Sequence, residues 1–188
     1  MSCKCELLVI GGSAGSLEVL LAILPFLKKG LDFAIIIVMH RKNNNDSMLT
    51  TLLASKTKWK VKEAEEKEHI LAGTIYIAPS DYHLLIENDL TISLDDSEKI
   101  NYSRPSIDVT FECAAGVYGS SLVCILLSGA NADGVDGLKT VKSKNGMVIV
   151  QDPATAEVSF MPQQAIDRVS VDKILPIDQM AAFVNNLK

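Results

Sequence analysis

The chain has 188 residues, 48% hydrophobic and 22% charged, with only 11 Gly and 6 Pro. That composition excludes global disorder and collagen-like or linker-like character, and it fits a single domain over residues 1–188 with a sizeable core. The 18 basic and 23 acidic residues leave a net charge of −5, which disfavours nucleic acid and anionic membrane surfaces as partners.

Leu7–Ile10 is a continuous apolar run, the pattern of a strand buried on both faces of a parallel sheet. Ser16–Leu27 follows, with Leu17, Leu20, Leu21, Leu24 and Leu27 at helical spacing. Ala34–Met39 is a second buried-strand run. Asp46–Ser55 then offers Asp46 or Ser47 as a cap and sets Met48, Leu49, Leu52 and Leu53 on one helix face. The charged stretch Lys60–Glu68 reads as a solvated loop or short strand. Gly73–Ala78, Tyr82–Glu87 and Leu90–Leu94 are short runs separated by Pro79-Ser80-Asp81 and Glu87-Asn88-Asp89, and read as a small antiparallel meander. Ile107–Tyr118 predicts a helix with Ser106 as its N-cap. Leu122–Leu127 and Met147–Val150 are further buried-strand runs. Asp133–Lys144, with lysines in its last turn, lies between them as a helix. Met161–Ile166, with Pro162 near its start, and Asp178–Leu187 complete the helices.

Strand, helix, strand in alternation implies right-handed crossovers. The expected fold is α/β: a doubly wound, mostly parallel, Rossmann-like sheet with helices on both faces and the small inserted antiparallel meander. No apolar run approaches the roughly 20 residues that span a bilayer, and Leu7–Ile10 is too short for the core of a secretory signal. A cytoplasmic location is therefore expected. Cys3, Cys5, Cys113 and Cys124 form no CxxC pair and read as reduced thiols without a metal.

The sharpest local signal is Gly11-Gly12-Ser13-Ala14-Gly15, between a strand and a helix. Small neighbours there let the backbone turn sharply and present a hydroxyl at the strand's C-terminal edge. A phosphate-binding loop has a similar setting. The strict G-x-G-x-x-G is not met, and no Gly-Lys-Ser/Thr follows. A nucleophilic serine needs a base. Of the three histidines, His40 ends the second strand, at the edge where ligands gather in parallel sheets. His69 reads as solvated, and His83 as a hydrogen-bonded structural histidine. The base in turn needs an orienting carboxylate. Asp133 follows the third long strand, in Ser128-Gly129-Ala130-Asn131-Ala132-Asp133-Gly134; it is a candidate orienter or simply a helix cap, and Asp136 is its rival.

In their order along the chain these stretches resemble the catalytic domain of chemotaxis protein-glutamate methylesterases, the CheB type, from about Leu7 to Val184. The resemblance rests on Ile10-Gly11-Gly12-Ser13-Ala14-Gly15, Val38-Met39-His40, Val61-Lys62-Glu63-Ala64 and Gly73 to Pro79 followed by His83-Leu84. It continues through Arg104-Pro105-Ser106-Ile107-Asp108-Val109, Leu127-Ser128-Gly129 with Asp133-Gly134, Gln151-Asp152-Pro153 and Met161-Pro162. It implies a catalytic triad of Ser13, His40 and Asp133. Oxyanion donors would come from the backbone of Gly12, Ala14 and Ala130. No cofactor or metal is implied. The implied substrate is a glutamyl methyl ester on the cytoplasmic domain of a chemoreceptor, with deamidation of receptor glutamines as a related activity.

Arg41, Lys42, Arg104 and Met161 are the expected substrate rim. The chain departs from the family's usual pattern at Ala14 and Ser16 and at Ala130-Asn131-Ala132. The family usually carries a response-regulator domain ahead of the serine loop, which here begins by Gly11; the expectation is either a stand-alone enzyme, with a separate regulatory protein as a candidate partner, or a part of a longer protein. Two other readings are an esterase of the same triad acting on a non-receptor substrate, and a non-catalytic α/β binding module.

Overall fold

The computed structural model of the chain describes residues 4–40 and 46–188. Seven parallel strands form one sheet. In chain order they are β1 (Leu7–Gly12), β2 (Ala34–Met39), β3 (Lys60–Glu63), β4 (Thr74–Ile77), β7 (Leu122–Leu126), β8 (Met147–Gln151) and β9 (Lys173–Leu175). Their spatial order is β3-β4-β2-β1-β7-β8-β9. On one side of β1 the chain passes to β2, then to the edge strand β3 and back to β4 between them; on the other side β7, β8 and β9 follow outward in order, the two-directional winding of a doubly wound fold. A separate antiparallel hairpin pairs β5 (His83–Ile86) with β6 (Ile92–Asp95). The helices are α1 (Ser16–Ile23), α2 (Asp46–Ala54), α3 (Ile107–Tyr118), α4 (Val135–Ser143), α5 (Phe160–Arg168) and α6 (Ile177–Asn185).

The continuous apolar runs work because both sheet faces are covered. Successive side chains alternate between faces. Leu7 and Val9 of β1 therefore pack with Ile36, Phe111, Leu138 and Met161 on one side. Leu8 and Ile10 pack with Leu20, Ile37, Met180 and Val184 on the other. Trp59 closes the second cluster, its ring 5.9 Å from that of Phe33 and its indole N–H donating to Lys28 O.

The structure revises the expected meander. The run Gly73–Ala78 contains β4, which lies in the main sheet between β3 and β2, parallel to both. All four β4 residues are buried, so their pattern is that of a two-sided interior strand, and only β5 and β6 remain as an insertion. The Lys60–Glu68 stretch supplies edge strand β3. The opposite edge strand β9, with Lys173 and Ile174 exposed and Leu175 half-buried, has no apolar run to mark it. Helix α1 is shorter than its apolar spacing suggested: Pro25 has no N–H to donate, and Leu24–Phe26 forms a 3-10 turn instead. Helix α4 begins at Val135, not at Asp133, after Gly134 at φ 96°.

Among the described residues no helix is long and apolar enough to cross a membrane.

Candidate active site

Gly12 at the end of β1 and Met39 at the end of β2 are register partners. The chain leaves the sheet at both points, so Ser13 and His40 emerge side by side on one edge. The third contribution comes from the loop after β7, on the other side of β1.

The loop at Ser13 is held by its backbone. Ser13 N–H donates to Ser128 O at 2.9 Å, and Ser13 O accepts from Ser16 Oγ at 2.6 Å. Ser128 Oγ donates to Ala14 O at 2.7 Å and accepts from Val158 N–H at 2.9 Å. Ser128 N–H donates to the buried Gln151 Oε1 at 2.8 Å. Gly15 takes φ 78°, a left-handed conformation that lets the turn feed α1. The half-buried Ser13 hydroxyl makes no hydrogen bond to a described residue.

His40 Nε2 lies 2.6 Å from Asp133 Oδ2, with the carboxylate fully buried and the imidazole 11% exposed. Burial alone would raise the Asp133 carboxyl, but hydrogen bonds from His40 and the Ile107 N–H and the charge of His40 outweigh it and hold the group below its ordinary value. An ionised Asp133 accepts from His40 Nε2–H, which leaves Nδ1 as the ring nitrogen that the carboxylate does not engage. Asn131 Nδ2 lies 3.5 Å from that Nδ1.

Asp133 is held from several sides. Oδ2 also accepts from Ile107 N–H at 2.7 Å, and Oδ1 accepts from Ser106 Oγ at 2.9 Å and Asp108 N–H at 3.1 Å. Asn101 Nδ2 adds a longer contact of 3.4 Å. The carboxylate therefore sits on the N-terminus of α3, where unsatisfied N–H groups and the helix dipole favour negative charge. Asp133 thus supports the N-terminus of the neighbouring helix and not, as its sequence position also allows, that of its own.

Asp136, the rival carboxylate, points away and pairs with Lys139 at 2.6 Å and Arg168 at 3.3 Å. His69 is exposed in its loop. His83 is buried: Nδ1 accepts from Ser106 N–H at 3.1 Å and Nε2 donates to Glu98 O at 3.0 Å. It is two hydrogen bonds removed from Asp133.

Of the expected oxyanion donors, the Ala14 and Ala130 N–H groups have no acceptor among the described residues. Gly12 still belongs to the β1–β2 ladder, and its carbonyl accepts from His40 N–H.

The rim expectation fares differently at each position. Arg41 and Lys42 lie outside the described residues. The Arg104 guanidinium donates to the carbonyls of Asp96 and Ser97, bracing the loop after β6 instead of standing free. Met161 is no rim residue at all. It is fully buried beneath Gly129, where an added Cβ would come within 2.5 Å of Met161 Cε.

Asn101, Asp108, Ser128 and Gln151 were not singled out from the sequence as site residues. Each acts through neighbours, and no spacing pattern in one chain marks such a role.

Alternative chemistries find little support. Burial pushes the Cys113 thiol up to about 11 and Cys124 well above its ordinary value, so neither is a nucleophile. Among the described residues no group of His, Cys, Asp and Glu is arranged to hold a metal.

Comparison with known proteins gives a consistent match. The family model for CheB methylesterase covers residues 8–184. A candidate protein-glutamate methylesterase/protein-glutamine glutaminase of Leptospira interrogans is 46% identical over 176 residues, spanning 94% of this chain and 91% of that one. A protein-glutamate methylesterase/protein-glutamine glutaminase of Syntrophomonas wolfei is 35% identical over 186 residues. The match covers 95% of this chain but 53% of that protein, so the chain spans about half its length. The crystal structure of the Thermotoga maritima CheB methylesterase catalytic domain superposes with a TM-score of 0.94 at 34% identity, covering 98% of this chain and 100% of that one.

Proposed function

The chain belongs to the CheB methylesterase family, and we propose that it hydrolyses glutamyl methyl esters on chemoreceptor cytoplasmic domains through an acyl-enzyme on Ser13. The observation that carries this reading is the 2.6 Å contact of His40 Nε2 with the buried Asp133 carboxylate, beside Ser13 on the same sheet edge.

Each step follows from the roles available. Ser13 Oγ attacks the ester carbonyl while His40 Nδ1 takes its proton. Asp133 stabilises the imidazolium through Nε2. The tetrahedral oxyanion would accept from the N–H groups of Ala14 and Ala130, which have no acceptor among the described residues. Collapse breaks the C–O bond to the methoxy group, and Nδ1 returns the proton to release methanol. Water then attacks the acyl-enzyme with His40 again as base, which frees the glutamate carboxylate and restores Ser13. A glutaminyl side chain would follow the same path with ammonia as leaving group, in keeping with the double name of the relatives.

The test is methanol release from a methylated receptor cytoplasmic fragment, with wild type beside Ser13→Ala. The wild type is expected to turn over, and loss of a triad serine to cost about 10⁶-fold in kcat. A variant that retains the wild-type rate overturns the assignment of the nucleophile. Turnover of a small generic ester with none of the receptor fragment would move the substrate elsewhere and leave the chemistry standing.

A further inference from the structure

Directly behind Asp133 lies a second buried carboxyl. Asp108, in the first turn of α3, is 6% exposed. Its Oδ1 accepts from Gly137 N–H at 2.7 Å and its Oδ2 from Asn101 Nδ2 at 3.0 Å. The same Asn101 nitrogen reaches Asp133 Oδ1, so one amide serves both acids. Asn101 is presented by a tight turn, with Asn101 and Tyr102 at φ 51° and 62° and reciprocal hydrogen bonds between Ile100 and Ser103.

The donors are divided unequally. Asp133 accepts from His40, Ser106, Ile107, Asp108 N–H and Asn101. The Asp108 carboxyl has two amide donors, and no cation pairs with it among the described residues. Two desolvated carboxylates this close cannot both ionise cheaply, and the one with fewer donors keeps the proton.

We propose that Asp108 is a positioning residue for the reaction proposed above, and that its protonated form is the one that holds Asp133 correctly against His40. This rests on the methylesterase reading. A neutral Asp108 leaves Asp133 as the single negative charge on the N-terminus of α3. Ionising Asp108 would put a second charge in the same dry pocket, repel Asp133 from its donors and loosen the imidazole.

The surrounding groups agree with this division. Asp133 faces Asp108 from the loop after β7, and Asp136 from α4, the latter paired with Lys139 and Arg168. His83 in β5 reaches only Ser106 N–H and Glu98 O, and His40 is reached through Asp133. Glu112, one turn along α3, is exposed. The strands β1, β2 and β7 packed against α3 carry no charged residue. Burial, opposed by the Gly137 N–H and reinforced by the charge of Asp133, pushes the Asp108 carboxyl up to about 7.

The experiment has two arms. In the first, kcat/KM for the methylated receptor fragment is measured from about pH 5 to about pH 9 for wild type and Asp108→Asn. The wild type should decline on the alkaline side as Asp108 ionises. The variant should lack that decline, whatever the height of its profile, because an amide cannot ionise. An alkaline decline with the same midpoint in both proteins overturns the proposal. In the second arm, the side-chain carboxyl carbons of ¹³C-labelled wild type are titrated by NMR. The Asp108 carbon should titrate in the neutral range, and its completion by about pH 5, near the ordinary carboxylate range, overturns the proposal. This arm needs neither a folded variant nor turnover. Failure of the methylesterase reading, with no methanol released at any pH, is thus separable from failure of the Asp108 assignment.

Discussion

The Ser106 hydroxyl donates to Asp133 Oδ1 at 2.9 Å while accepting from Val109 N–H at 3.5 Å. One side chain thereby caps α3 and holds the carboxylate that orients His40. Removing it separates these groups at once. Ser106→Ala should cost about 1–3 kcal/mol of stability, the loss of a cap plus a buried acceptor left short of a donor. The kcat for methyl ester hydrolysis should fall more than KM rises, because Asp133 and not the substrate loses its support. Urea denaturation and steady-state kinetics on the same preparation check both.

Asp133→Asn changes charge with little change of shape. The amide can turn its NH₂ toward His40 Nε2, which then must accept instead of donating. Nδ1 would carry the proton and cease to be a base. A fall in kcat of about 10⁴-fold is expected, as for tautomer loss in other triads. The fold should survive. A near-normal rate in a variant with an unchanged melting curve would remove Asp133 from the mechanism.

Much of this arrangement was legible in the sequence, for a physical reason. Ser13, His40 and Asp133 each follow an apolar run that could only be an interior strand, and parallel strands deliver their C-termini to one edge. The supports were not legible, because they act through contacts distant in sequence. Asp108 is separated from Asp133 by 25 residues and meets it at the N-terminus of α3. Asn101 lies in a turn whose side-chain direction depends on two left-handed residues. Strand β4 is not separable from the hairpin in the sequence, because Tyr76 and its neighbours form a run as short as those that follow, and length does not distinguish an interior strand from an inserted one.

The two buried carboxyls should pull stability in opposite directions with pH. Asp133 is depressed in the fold, so its contribution is present above its ordinary value of 3.8 and is lost as pH falls through the folded value. Asp108 is raised to about 7 from 3.8. Between those values the folded chain holds a proton that the unfolded chain has released, so this group's contribution declines as pH rises and levels above about 7. Asp108→Asn should therefore gain on wild type steadily from the acid side to neutrality. Denaturant midpoints of both proteins across that range give the difference directly, and a constant difference would contradict the raised value.

Gly15 sits at φ 78°, and a Cβ there would lie 2.6 Å from Glu157 Cβ and 2.8 Å from Ser128 Oγ. The conformation alone costs an L-residue about 1–2 kcal/mol, and the overlap about 1–3 more. The overlap also strikes Ser128, whose hydroxyl fixes Ala14 O. Gly15→Ala is expected to lower the thermal midpoint and kcat together, since the same displacement disturbs the Ser13 loop. An unchanged rate in a destabilised variant would show that the loop is set by β1 alone.

Met161 separates two roles that sequence position cannot tell apart. A rim methionine would touch substrate, and its truncation would raise KM with little effect on folding. The structure packs Met161 into the core, with its N–H donating to Gly129 O at 2.9 Å and its thioether beneath the Gly129 backbone. Truncation should leave a cavity there and cost about 2–5 kcal/mol. Because Gly129 leads into Ala130, the proposed oxyanion donor, whose N–H has no acceptor among the described residues, the cavity should also lower kcat. Met161→Leu, close in volume, should restore most of the stability, at a residual cost below about 1.5 kcal/mol. A Met161→Ala protein with wild-type stability and a raised KM would instead put this side chain in contact with substrate.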